Sequence, residues 1–199
     1  NNYSMIFDGV DDYLQISNFD QLDSFSAMCW FNFNSLGVYD GIMQHKQVCQ
    51  NGSGWYIGVQ NGSLRFFKHI GQCTNSCSNG SCNFNIVTNQ NINIGEWYHI
   101  AISSDGINNT IYLNGDSIAN IYEVTAYPST VNPFIFGSHQ DGSTQTYSDI
   151  FLDEVVYLNQ SISQEQIQQY MNCPPTGMES DLVGYWNFEE GSGTTALDQ

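Results

Sequence analysis

An all-β sandwich or barrel with one short helix near the C-terminus is what this sequence predicts. Three observations carry the prediction. Apolar residues alternate with polar ones in many short runs, the period of a half-buried strand. Gly, Asn and Asp punctuate those runs at short intervals. Only one stretch has the composition and caps of a helix. With 199 residues, 14% of them aromatic, the chain is long enough to bury a sizeable core.

In chain order, Tyr3–Phe7 alternates and meets a turn at Asp8-Gly9, and Tyr13–Ile16 follows Asp11-Asp12. Phe25–Phe33 is the longest run, with Phe25, Ala27, Cys29 and Phe31 on one face. Trp55–Val59 and Leu64–Lys68 flank Gln60-Asn61-Gly62-Ser63, a hairpin signal. Trp97–Ile102 and Thr110–Leu113 flank Asp105-Gly106 and lead into Asn114-Gly115. Phe134–Phe136 and Phe151–Tyr157 follow. Ser163–Met171 reads as the helix, with Ser161 or Ser163 as N-cap and Pro174-Pro175 enforcing its stop. After the linker-like Cys173–Gly177, Leu182–Phe188 reads as a last strand. Short strands at this spacing imply a sandwich or barrel rather than alternating βαβ units.

Three Lys and Arg against 20 Asp and Glu give a formal net charge of −17. A nucleic-acid binder needs the opposite balance, because affinity comes from neutralised phosphates. The same sign opposes docking on an anionic leaflet, and no apolar run is long enough to insert as a transmembrane helix. The surface is rich in amides instead, with 22 Asn and 16 Gln, which points to an extracellular or cell-surface location. The six cysteines are Cys29, Cys49, Cys73, Cys77, Cys82 and Cys173. An even count in such a chain favours disulfides over a zinc site, although the close spacing of Cys73, Cys77 and Cys82 beside His69 leaves zinc open. Cys29, on an apolar strand face, also reads as a free buried thiol.

Several motifs together resemble the laminin-G-like domains of bacterial secreted proteins, within the concanavalin A-like lectin and glucanase superfamily. They are Phe7-Asp-Gly-Val-Asp-Asp-Tyr-Leu14, Phe25–Trp30, Trp97–Ala101 with Ile111–Gly115, and Leu152–Val155 followed by Ser161–Ile167. The resemblance implies a two-sheet antiparallel jelly roll over residues 1–199. It departs from that pattern in Gly184–Gly193, a segment such domains carry ahead of the Phe-Asp-Gly strand. Residues 178–199 are therefore either the closing strand of this domain or the start of a following repeat, and the chain reads as part of a larger multidomain protein.

Asp153, taken to share an apolar face with Phe151, Val155 and Tyr157, needs a partner because a bare buried carboxylate is costly. Asp8, Asp11 and Asp12 lie at the first turn. Carboxylates of this kind are ligands for a hard cation, and calcium fits both their chemistry and the resemblance. These four are the expected metal ligands, with the loop from His139 to Asp149 as a second candidate; turn capping accounts equally for Asp8 and Asp12. Tyr39, Trp55, Tyr56, Arg65 and Phe67 gather rings and polar groups in one stretch, the makings of a glycan platform. For Trp30, Trp55 and Trp97 taken singly, a place in the core is the simpler reading. A jelly-roll glycosidase needs two carboxylates on one strand face, at i and i+2. Asp153-Glu154 and Glu189-Glu190 are adjacent, so their side chains should diverge, and no Gly-x-Ser-x-Gly or His-Glu-x-x-His motif occurs. The expected function is a non-catalytic, calcium-stabilised recognition or adhesion module for a glycan or cell-surface glycoprotein. The rivals are a structural spacer repeat and a hydrolase fragment.

Overall fold

The computed structural model describes residues 3–20, 22–46, 53–70, 83–122, 131–141, 144–191, 193 and 195–199. Two antiparallel sheets stack face to face, and a helix lies on the outside of one of them. The strands are β1 (Met5–Asp8), β2 (Leu14–Asp20), β3 (Phe25–Phe33), β4 (Tyr39–Lys46), β5 (Ser53–Gln60), β6 (Ser63–Ile70), β7 (Asn83–Asn91), β8 (Tyr98–Ser104), β9 (Asn108–Leu113), β10 (Asp116–Tyr122), β11 (Val131–Phe136), β12 (Ser138–Asp141), β13 (Thr144–Tyr147), β14 (Asp149–Leu158) and β15 (Leu182–Trp186). The helix α1 spans Gln164–Asn172. The first sheet runs β1-β14-β3-β8-β9-β10, with β15 also on β14; the second runs β2-β11-β4-β5-β6-β7. Strands β12 and β13 form a separate hairpin that packs across β4.

The expected alternation on β3 holds. Phe25, Ala27, Cys29, Phe31 and Phe33 all enter the core between the sheets, while Met28 joins a second cluster under α1 with Val156, Leu158, Ile162 and Ile167. Rings fill the centre: Phe25 stacks on Trp55 at 5.3 Å and on Tyr157 at 5.6 Å. Each fully buried aromatic of this kind contributes about 1.5–3 kcal/mol of apolar burial. The Asn61-Gly62 turn has φ of 48° and 81°, the doubly positive pattern that matches strand twist in a two-residue hairpin. Asn114-Gly115 repeats it at 51° and 81°. Ser163 is the N-cap, and a reciprocal bond from its own N–H to the Gln166 side chain completes a capping box.

Several strands go beyond the alternation. Strand β4 lacks it because Asp40, Ile42, Met43, Gln44 and His45 are all buried: the core covers one side and the β12–β13 hairpin the other. Gly41 permits this, since a Cβ there would lie 1.9 Å from the Ser138 carbonyl oxygen. Strands β7 and β10 are sheet edges, and register shifts interrupt their pairing, between Ser63 and Arg65 opposite β7 and between Ser117 and Ala119 in β10.

Cys29 takes the second of its two readings, and the disulfide expected of Cys173 is corrected. Cys29 is a free thiol sealed in the apolar core, where burial raises its pKa. Cys173 is free and exposed at the C-cap of α1, held there by its N–H to the Gln169 carbonyl at 2.8 Å. Cys49, Cys73, Cys77 and Cys82 lie outside the described residues. No helix among the described residues is long and apolar enough to cross a membrane.

Candidate functional site

Alternation along β5 and β6 divides the predicted ring platform between two faces. Trp55 points inward and is wholly buried against Phe25 and Phe134, so it is a core residue and not a ligand contact. Tyr56, Arg65 and Phe67 turn to the outer face of the second sheet, where Tyr39 of β4 joins them. The Arg65 guanidinium lies 5.5 Å from the Tyr39 ring centre, 6.0 Å from Tyr56 and 5.3 Å from Phe67. Such contacts are worth about 0.5–2 kcal/mol each, depending on desolvation, and they draw the cation toward the rings. His139, absent from the predicted platform, stacks on Tyr39 at 5.6 Å and meets Tyr56 edge-on at 4.6 Å. Nothing in the local sequence links His139 to these residues; the β12–β13 hairpin delivers it.

Tyr56 is the buried base of this platform. Its hydroxyl donates to the Asp40 carbonyl at 2.8 Å, running over Gly58, where a Cβ would lie 2.0 Å from that hydroxyl oxygen. Burial raises the Tyr56 pKa, so the ring stays neutral. Tyr39, at 36% exposure, and the half-buried Arg65 and Phe67 are the accessible part. Lys68 is different: it is wholly buried, opposite Trp55 in register.

The four predicted metal ligands also separate. Asp8, Asp11 and Asp12 come together at the β1–β2 turn, with ligand oxygens within 4.8 Å of one another, all exposed. Asp8 Oδ1 accepts from Val10 N at 2.8 Å, and Asp12 Oδ2 accepts from Asp8 N at 3.3 Å. Each carboxylate thus keeps an oxygen for an ion, and an all-oxygen donor set suits calcium. Asp149, part of the alternative loop, faces Asp8 across the β1–β14 ladder. Its two carboxylate oxygens accept from Asn34 Nδ2 and Ser35 Oγ, each at 3.0 Å.

Asp153 is not with them. It lies four residues along β14 from Asp149, roughly 13 Å at strand rise, and on the outer face. The register of β14 against β3 shifts between Asp153 and Val156, and Glu154 takes φ of 50°. This bulge reverses the alternation: Val155 and Tyr157 face the core while Asp153 faces out. It also overturns the divergence expected of adjacent carboxylates, because Asp153 and Glu154 line one groove together with Tyr3, Ser4, Trp30, Trp97, Tyr170, Met171 and Pro174. Asp153 Oδ1 accepts from Glu154 N at 2.9 Å, and the Tyr185 hydroxyl donates to Glu154. Burial, with Glu154 and Glu189 adding repulsion, raises the Asp153 pKa to about 7. Burial raises that of Glu154 as well.

Two stacked antiparallel sheets with a helix on the outside of one define a jelly-roll sandwich. The chain belongs to the concanavalin A-like lectin/glucanases superfamily, whose family model matches residues 8–168. No curated protein matches the sequence. Among solved structures, the chain is similar to a heptameric SAP-like pentraxin from Limulus polyphemus, at 14% identity and TM-score 0.63, covering 98% of this chain and 90% of the pentraxin. It is also similar to a putative carbohydrate binding protein from Bacteroides ovatus, at 16% identity and TM-score 0.69, covering 98% of this chain and 54% of that one. A third is domain 4 of an extracellular arabinanase from Geobacillus stearothermophilus, in complex with arabinotriose, at 15% identity and TM-score 0.62, covering 83% and 75%. At these identities the likeness is one of fold. The chain spans about half the length of the Bacteroides protein.

Proposed function

We propose that residues 1–199 form one non-catalytic, extracellular carbohydrate-binding module, stabilised by calcium at Asp8, Asp11 and Asp12, in a larger surface or secreted protein. The observation that carries this reading is the convergence of Arg65 with Tyr39, Phe67, Tyr56 and His139 on the open face of the second sheet. Rings offer the flat apolar surface a pyranose needs, and a fixed guanidinium offers a planar fork of donors for hydroxyls or a sugar carboxylate. Relatives of the same fold support it: the arabinanase domain holds arabinotriose, and a botulinum neurotoxin binding domain was solved in complex with SialylT.

A glycan array with the intact chain tests the proposal, repeated with Arg65→Ala and Tyr39→Ala. The expected result is a restricted set of bound glycans, weakened about tenfold or more by either substitution. A blank array, or binding indifferent to both substitutions, would leave the structural spacer as the better reading.

A further inference from the structure

The Asp153–Glu154 groove lies on the first sheet, away from the Arg65 platform, and its chemistry is the reverse. Its volume is about 560 Å³, enough for a small ligand. Three of its rings come from different parts of the chain: Trp30 from the centre of β3, Trp97 from the approach to β8, and Tyr170 from α1. Trp97 is 44% exposed, its ring tilted against that of Phe151 at 6.4 Å. Trp30 stands directly opposite Asp153 in register, so ring and carboxylate are cross-strand neighbours about 5 Å apart at Cβ.

Beneath this wall, His99 pairs with Trp30 in register and meets its ring edge-on at 5.3 Å. His99 is 2% exposed, and its Nδ1 has no hydrogen-bond partner among the described residues. Burial lowers its pKa to about 4, so it adds no positive charge at neutral pH. Nor does anything else on this sheet: Lys46, Arg65 and Lys68 all belong to β4 and β6 of the other sheet. Glu189, which accepts from Tyr3 N at 3.1 Å, adds a third negative charge nearby. The groove therefore sets two half-buried carboxylates among aromatic rings, with no cation beside them among the described residues.

We propose that this groove is a second ligand site, in which Asp153 and Glu154 hold the protonated amine of an amine-bearing ligand while Trp30, Trp97 and Tyr170 pack around its carbon frame. A primary ammonium suits it better than a metal ion or a quaternary amine. Its N–H groups donate to the carboxylates, and its charge is attracted to the ring faces. A metal ion would use the oxygens and leave the rings without a role. A quaternary amine would use the rings and have no N–H for the carboxylates. An amino sugar and a lysine side chain both carry this ammonium group.

Calorimetric titration at physiological ionic strength separates the sources. The probes are a β-1,4-linked glucosamine tetramer, its fully N-acetylated counterpart and lysine amide. The glucosamine tetramer is expected to bind at least tenfold tighter than the acetylated one. Asp153→Asn and Trp30→Ala should each lower that affinity about tenfold, and Trp30→Phe should recover part of it. Binding of lysine amide as tight as the tetramer would keep the ammonium site and assign it to peptide lysines; weaker binding assigns it to amino sugars. Arg65→Ala should leave this titration unchanged, so the outcome is independent of the platform on the other sheet. Equal binding of the two tetramers would overturn the proposal. So would affinity for the amine that Asp153→Asn and Trp30→Ala leave intact, which would mean attraction to the net charge alone.

Discussion

Asp153 is held in a folded state that disfavours its own ionisation. Its pKa stands at about 7 against an ordinary 3.8, from burial first and repulsion by Glu154 and Glu189 after it. The folded state thus binds its proton more tightly than the unfolded chain, and stability is lost as pH rises from about 4 through 7. Asp153→Asn keeps an oxygen for the Glu154 N–H and removes the charge. Thermal unfolding should show the variant equal to the parent near pH 4 and more stable at pH 8; a variant less stable at pH 8 would contradict the argument. His99 acts in the opposite direction. Its pKa is lowered to about 4 from 6.5 by burial, so protonation costs stability as pH falls through that window, by about 3 kcal/mol in full. His99→Gln should flatten the acid side of the stability profile. At this scale the sequence is legible where alternation is unbroken. The core place of Cys29 follows from Phe25, Ala27 and Phe31, and the same rule divides Trp55 from Tyr56. It misleads at Asp153, because a positive φ at a non-glycine residue such as Glu154 leaves no mark in the residue pattern.

Among the elements, β15 occupies a place that the rest of the sheet needs. Strand β14 is bordered on one side by β3 over nearly its whole length, and on the other by β1 at Met5–Asp8 and β15 at Leu182–Trp186, end to end. The bulge at Asp153 falls between these two partners. Without β15, the Val155–Leu158 half of β14 would be an open edge of buried apolar residues. Trp186 and Phe188, 5% and 3% exposed, would leave the core as well. Losing two such rings costs about 3–5 kcal/mol each. Truncation after Thr176 should therefore lower the melting temperature by well over 10 °C, at about 2–4 °C per kcal/mol for a chain of this size, or prevent folding. An unchanged melt would show that β15 contributes nothing to the sandwich. A finer test is Gly41→Ala, which drives a Cβ into the Ser138 backbone. It should destabilise by about 1–3 kcal/mol and loosen the hairpin that carries His139, weakening glycan binding at the platform. Strands with turn chemistry at their ends, such as the pair joined by Asn61-Gly62, are readable from sequence. The covered strand β4 and the edge strand β10 are not: burial on both faces erases the period of two in β4, and a register shift interrupts it between Ser117 and Ala119 in β10.

Across the whole molecule, charge is the unbalanced quantity. A net charge of −17 opposes compaction through self-repulsion, and three basic residues cannot offset it by pairing. Bound cations can. At the β1–β2 turn, Asp8, Asp11 and Asp12 offer oxygens within 4.8 Å of one another, and Asp8 faces Asp149 across the ladder joining the first strand to β14. A divalent ion there neutralises part of the repulsion where the chain passes from one sheet to the other. An ion that binds only the folded state stabilises it by about 2.7 kcal/mol at a hundredfold excess over its dissociation constant, or about 5–10 °C for a chain of this size. Chelation should lower the melting temperature by that order, and calcium should restore it better than magnesium, whose geometry is stricter and which dehydrates reluctantly. Asp11→Asn should blunt the response, Asp11 being chosen because Asp8 and Asp12 also cap the turn. Asp153→Asn should leave the response intact, since that carboxylate belongs to the distant groove. A metal-free protein whose melting is indifferent to calcium would remove the ion from this turn and leave Asp8 and Asp12 as capping residues alone.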